Sequence, residues 1–215
     1  MSGVESLYPF LYSGKSDVEA VLADVCRSTT EKTEEITRLR ADVLELYRDQ
    51  LVACASAMAR SFAAGGRLFT FGNGGSSTDA QAIAELFQNP GPAARPLPAA
   101  ALTTDVAVLS ALANDVSFDV VFARPLAANG RVGDIAVGLS TSGGSENVLR
   151  GFAEATRRGM LTIGLAGYDG GKMTGADTIE HLFVMPSSSV HRIQEAQTTT
   201  YHVLWELTQL ALSPT

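Results

Sequence analysis

The chain has 215 residues, enough for one large domain, or one domain with a helical extension, around a sizeable core. Hydrophobic residues make up 46% and charged residues only 18%, which leaves little charge to cover exposed surface and points to extensive subunit contacts. A formal net charge of -7 argues against a nonspecific nucleic-acid role; with no signal peptide or membrane-length apolar run, a cytoplasmic protein with neither membrane nor direct nucleic-acid partner is expected.

Residues 1 to 15, with Pro9, Gly14 and several aromatics, read as an irregular arm. From Ser16 to Ala64 the pattern is helical, with one apolar stripe through Val18, Val21, Leu22 and Val25 and another from Ile36 to Met58. The polar break at Ser28-Thr30 predicts two helices, read as an oligomerisation bundle, so residues 1–64 form one part and 65–215 an α/β domain. Charges between residues 31 and 49 read as a solvated face. Cys26 and Cys54 lie in helical pattern without metal-ligand spacing and are expected as buried thiols in a reducing cytosol.

Leu68-Phe71 is a β-prone run that breaks at Gly72-Asn73-Gly74-Gly75 and restarts with helix formers at Asp79. Ser76 and Asp79 make an S-x-x-D signal that predicts Ser76 as the helix N-cap. Glycines let the backbone approach a ligand, and orphan amides at a helix start favour a phosphate. Beyond the loop Asn89-Pro92, a strand is predicted at 98–102, a helix at 105–113 ending at Asn114-Asp115, and a second helix at 118–128. A buried strand at 134–139 then runs into Ser140-Thr141-Ser142-Gly143-Gly144-Ser145, before a helix at 146–158 capped by Gly159. Strands at 161–165 and 181–185, the latter stopped by Pro186, and a helix at 190–210 complete the chain.

This alternation predicts a five-stranded parallel sheet with helices on both faces and a ligand crevice at the strands' carboxyl ends. The two turns match neither G-x-x-x-x-G-K-[ST] nor G-x-G-x-x-G with a distant acid, so the expected ligand is a phosphorylated small molecule.

FGNGGSSTDAQ, ALANDVSFDVVFAR, STSGGSENV, GLAGYDGGKM and HRIQEAQTTTYH, in this order and spacing over residues 60 to 210, resemble the sugar isomerase (SIS) fold and, within it, the phosphoheptose isomerases. The resemblance implies a homotetramer of flavodoxin-like sheets with N-terminal helices in a central bundle and sites shared between subunits. It implies interconversion of sedoheptulose 7-phosphate and a heptose 7-phosphate. Substrate contacts carried over from it fall on Asn73, Gly74, Gly75 and the adjoining Ser76, on Asn114 and Asp115, on Ser140, Thr141, Ser142 and Ser145, and on Gln194 and His202.

Two positions depart. The family's first helix reads D-A-x-H-x-x-x-E, with a His that can ligate zinc and a catalytic Glu; here those positions hold Ala82 and Leu86. No zinc or other cofactor is therefore expected. Glu85 precedes the lost Glu by one residue, about 100° around a helix. His202 is the candidate base, since imidazole titrates near neutrality. Glu195, seven residues before it and within about 20° of superposition, is a candidate partner beside Glu85, and His191 shares that stripe. Two readings follow. One is an isomerase with altered chemistry. The other is a non-catalytic SIS protein that binds a sugar phosphate or serves as a scaffold, similar to the DnaA initiator-associating relatives.

Overall fold

In the computed structural model, which describes residues 18–92 and 94–213, the elements run α1 (Val18–Ala63), β1 (Leu68–Gly72), α2 (Gly75–Gln88), β2 (Ala99–Ala101), α3 (Val106–Asp115), α4 (Ala123–Asn129), β3 (Ile135–Ser140), α5 (Glu146–Arg157), β4 (Leu161–Gly167), β5 (His181–Met185) and α6 (Val190–Leu212). The predicted arm at 1–15 lies outside the described residues. The chain forms two compact units, Met1–Arg38 and Leu39–Thr215; the described part of the first is helical throughout.

In the second unit the five strands are all parallel, in the order β2-β1-β3-β4-β5. The predicted flavodoxin-like sheet is therefore the observed one. Strands covered on both faces read as near-continuous apolar runs, and β1 and β3 are buried along their whole length. On one face Phe69 and Phe71 pack with Phe122, Leu126, Val148 and Phe152 from the α4 and α5 side, the Phe71 ring lying 5.3 Å from Phe122 and 5.4 Å from Phe152. On the other, α2 and α6 cover the sheet, and the Thr70 hydroxyl donates to the Ala80 carbonyl at 2.5 Å. Residues Leu39–Ala63 of α1 add Phe62, stacked on Phe87 at 5.7 Å.

An edge strand leaves unpaired backbone groups that invite pairing with another chain. Here α1 occupies those of β5. The Tyr47 hydroxyl accepts from the Val184 amide at 3.0 Å, Gln50 donates to the Leu182 carbonyl at 3.1 Å, and the Tyr47 ring meets Phe183 edge-on at 5.4 Å.

Three expectations need correction. The polar break at Ser28-Thr30 does not divide α1, because Thr29 and Thr30 donate to the Val25 and Cys26 carbonyls one turn back, which absorbs their hydroxyls into the helix. Cys26 is exposed, while Cys54 is buried and burial pushes its thiol pKa far up. The predicted helix at 118–128 is a 3-10 turn at Phe118–Val120 followed by α4, which starts afresh at Ala123 so that Pro125 falls in the first turn, where its missing N–H breaks no helical bond.

Candidate functional site

β1 and β3 are neighbours although β2 lies between them in sequence, so their connections leave the sheet on opposite sides. In open parallel sheets ligands bind at this switch point, beyond the strands' carboxyl ends. Register pairs Gly72 with Leu139, which sets the two glycine turns side by side. Asn73, Ser76, Leu139, Ser140, Thr141, Ser142 and Ser145 line one small pocket of about 100 Å³ between them.

The start of α2 differs from expectation. Gly74, at φ +57°, is the N-cap, and no side chain caps the helix. Ser76 lies one residue inside, 5% exposed, and its amide donates to the Asn73 carbonyl at 3.0 Å. The positive φ that glycine supplies starts the helix earlier than the S-x-x-D signal suggests. Freed from capping, the Ser76 side chain lines the pocket instead.

The second turn is built from its hydroxyls. Ser140 Oγ lies 3.0 Å from Ser145 Oγ and 3.5 Å from Ser142 Oγ, and the Gly144 amide donates to Ser142 Oγ at 3.3 Å. Ser145 is the N-cap of α5 but makes no side-chain cap bond. Two helix N-termini without side-chain caps thus flank one pocket, and their orphan amides favour an anion there. Gly143, at φ +63°, has no room for a Cβ, which would overlap the Gly170 carbonyl oxygen; Met173 N–H donates to the Gly143 carbonyl at 3.1 Å. The GLAGYDGGKM segment therefore supports the serine turn from below.

One residue that sequence reasoning missed joins the two turns. Asn147, 3% exposed, donates to Asn73 Oδ1 at 2.9 Å and accepts from Asn73 Nδ2 at 2.8 Å. Nothing in S-E-N marks this Asn from a helix-start residue, so no local signal could have found it.

On the α6 side, Gln194 Nε2 donates to Asp79 Oδ2 at 3.2 Å, and the amide lies so close over Gly75 that a Cβ there would displace it. Gln194, Thr198 and His202 follow at four-residue spacing on one stripe. His202 Nδ1 is 2.8 Å from the Thr198 carbonyl oxygen. A carbonyl only accepts, so Nδ1 is the donor in this contact and Nε2 is the other nitrogen of an exposed ring that stacks on Tyr201 at 4.9 Å. Burial raises the Asp79 pKa, opposed by the Gln194 bond; burial also raises that of Tyr201, and the Asp79 charge adds to it.

The remaining candidates lie apart from the small pocket. Asn114 and Asp115 occupy the last turn of α3, exposed, with Asn114 Nδ2 donating to Asp115 Oδ1 at 2.6 Å. Glu85 accepts from Asn89 at 2.9 Å and lines a separate groove of about 600 Å³ with Thr78, Gln81, Ala82 and Gln88. Glu195 is ion-paired to Arg192 at 2.6 Å. No helix among the described residues is long and apolar enough to cross a membrane.

Residues 33–167 match the SIS domain family model. The phosphoheptose isomerase of Aquifex aeolicus is 44% identical over 184 residues, covering 83% of this chain and 95% of that protein. That of Nitratidesulfovibrio vulgaris is 42% identical over 196 residues, covering 87% and 93%. Among solved structures, phosphoheptose isomerase from Neisseria gonorrhoeae superposes with a TM-score of 0.78 at 34% identity, over 85% of this chain and 97% of that one.

Proposed function

From the premise that this chain belongs to the SIS domain family, among relatives that are phosphoheptose isomerases, we propose that it is an aldose-ketose isomerase acting on a sedoheptulose 7-phosphate-like sugar phosphate. The observation that carries the reading is the pocket where the Asn73 and Ser140–Ser145 turns meet at the switch point. The phosphate sits among the Ser140, Thr141, Ser142 and Ser145 donors, with Asn73, Gly74, Gly75 and Ser76 closing the other side. Gln194 holds a sugar hydroxyl and His202 Nε2 takes the carbon-bound proton on the way to an enediol. Asn114 and Asp115, on the exposed end of α3, complete the site of a neighbouring subunit in a cytoplasmic homotetramer.

Zinc, which the family resemblance implies, does not fit this donor set. Ala82 and Leu86 offer no ligand atom, and of the family's set only the Gln194 amide and the His202 imidazole remain. The chemistry is therefore assigned to side chains alone.

Ala82 and Leu86 also favour a second reading, a sugar-phosphate-binding protein without turnover. Calorimetry with sedoheptulose 7-phosphate and with unphosphorylated sedoheptulose, followed by an isomerisation assay, separates the two. The isomerase binds only the phosphorylated sugar and converts it, and His202→Ala abolishes conversion while binding survives. Binding without conversion at high protein concentration establishes the second reading. Absence of binding to any sugar phosphate removes both.

A further inference from the structure

Isomerisation through an enediol needs two proton carriers, one at the carbons and one between the oxygens. His202 supplies the first, and the family's Glu is missing at Leu86. The two glutamates nearest in sequence to the family positions are poorly placed for the second. Glu195 has its charge compensated by Arg192 at 2.6 Å, and Glu85 is exposed in the groove away from the serine turn.

Asp79 is different in position and environment. Ala82 and Leu86 lie three and seven residues beyond it, so around α2 all three share one face, with Asp79 and Leu86 within about 20° of superposition. Of the acidic and imidazole groups in the family pattern D-A-x-H-x-x-x-E, this chain keeps Asp79 alone. It stands one turn beyond Ser76, which lines the pocket, and its Oδ2 holds Gln194 on the stripe that leads through Thr198 to His202. The groups facing it from α6 are neutral Gln194 and the Tyr201 phenol, with His202 stacked on Tyr201.

Building on the isomerase reading, we propose that Asp79 is the second catalytic acid-base residue, passing a proton between the two substrate oxygens while His202 moves the proton between the two carbons. In the forward step His202 Nε2 takes the proton from the carbon next to the carbonyl, the C–H pair becomes the C=C bond, and protonated Asp79 gives its proton to the carbonyl oxygen. In the return step the Asp79 carboxylate takes the proton of the neighbouring hydroxyl, the new C=O bond forms, and His202 returns its proton to the other carbon. Both groups end as they began.

The test uses the full chain with sedoheptulose 7-phosphate, comparing wild type, Asp79→Asn and Asp79→Glu in binding, kcat and pH profile. Asp79→Asn is expected to bind within a few-fold of wild type and to lose about 100-fold or more in kcat, together with the limb of the profile on which wild-type activity falls as Asp79 deprotonates. Asp79→Glu, which keeps the acid, restores part of the rate and that limb. Unchanged kcat in Asp79→Asn, or weakened binding with kcat and profile intact, overturns the assignment and leaves Asp79 as a holder of Gln194. Wild-type protein that binds but does not turn over overturns the isomerase reading and this assignment with it. If Asp79→Asn fails to fold, Asp79→Ser, which removes the acid and leaves an oxygen to accept from Gln194, takes its place, and a wild-type level of kcat with an unaltered profile in it overturns the assignment.

Discussion

Asn73 and Asn147 face each other amide to amide across the switch point and exchange two hydrogen bonds, 2.8 and 2.9 Å long. One belongs to the turn after β1, the other to the first turn of α5. The pair therefore fixes the distance between the two halves of the small pocket. Asn147→Ala leaves the Asn73 amide half-buried and unpaired on that side, at a cost of about 1–3 kcal/mol. The expected outcome is a lower Tm together with roughly tenfold weaker binding of sedoheptulose 7-phosphate, read by calorimetry. Lower stability with unchanged affinity would show that the two turns keep their spacing without the pair.

The serine turn depends on a close backbone crossing between Gly143 and Gly170. Gly143→Ala adds a Cβ that meets a carbonyl oxygen rather than a flexible side-chain end, and places a non-glycine residue at φ +63°. The Met173 bond to the Gly143 carbonyl is lost as the backbone moves apart. Expected is loss of phosphate binding with the sheet intact, seen as unchanged far-UV circular dichroism and no calorimetric heat.

At the opposite end of the sheet, Asp134, buried to 3% exposure, takes the Arg67 amide at 2.8 Å, the Arg67 guanidinium at 2.7 Å and the Arg131 amide at 3.0 Å. These bonds tie the starts of β1 and β3 together, far along the strands from the ligand turns. Asp134→Ala takes the acceptor from two amides and the carboxylate from a guanidinium that keeps the Asn129 carbonyl, costing about 3 kcal/mol, or roughly 6–12 °C in Tm for a domain of this size. At a temperature where the variant remains folded, affinity for the sugar phosphate is expected to match wild type. A variant that loses affinity in proportion to stability would connect this ion pair to the site.

The strands and the turns between them were legible because their chemistry is local. Pro186 ends β5 where expected, and the glycines after β1 and the serines after β3 mark both halves of the pocket. Legibility failed wherever one residue type has two uses. Ser76 carries a capping signal, yet Gly74 at positive φ begins the helix before it. Thr29 and Thr30 look like a break, yet each closes a bond to its own helix. The contacts that join the site have no sequence signature at all: Asn73 meets Asn147 from 74 positions away, and Asp79 meets Gln194 from 115. The strand order, which brings the β1 and β3 ends together, and the packing of α6 on α2 make them neighbours.

The Asp79 carboxyl carries a stability signature that can be read apart from catalysis. Burial raises its folded-state pKa, so the folded protein holds the proton more tightly than the unfolded chain does. The resulting stability is fully present below the unfolded aspartate pKa of about 3.9 and is lost as pH rises through the raised folded value. Asp79→Asn removes the charge and keeps the shape, so it escapes this loss. Thermal unfolding from pH 4 to pH 8 is expected to show similar Tm for wild type and Asp79→Asn at the acid end, and a growing advantage for the variant as pH rises. Half-buried His181 bends both curves alike, since desolvation lowers its pKa and stability falls as the pH drops below the usual imidazole value; the difference between the curves therefore reports Asp79. A variant less stable than wild type at pH 8 would mean that the Asp79–Gln194 bond outweighs the buried charge, and that the carboxylate is held there for structure.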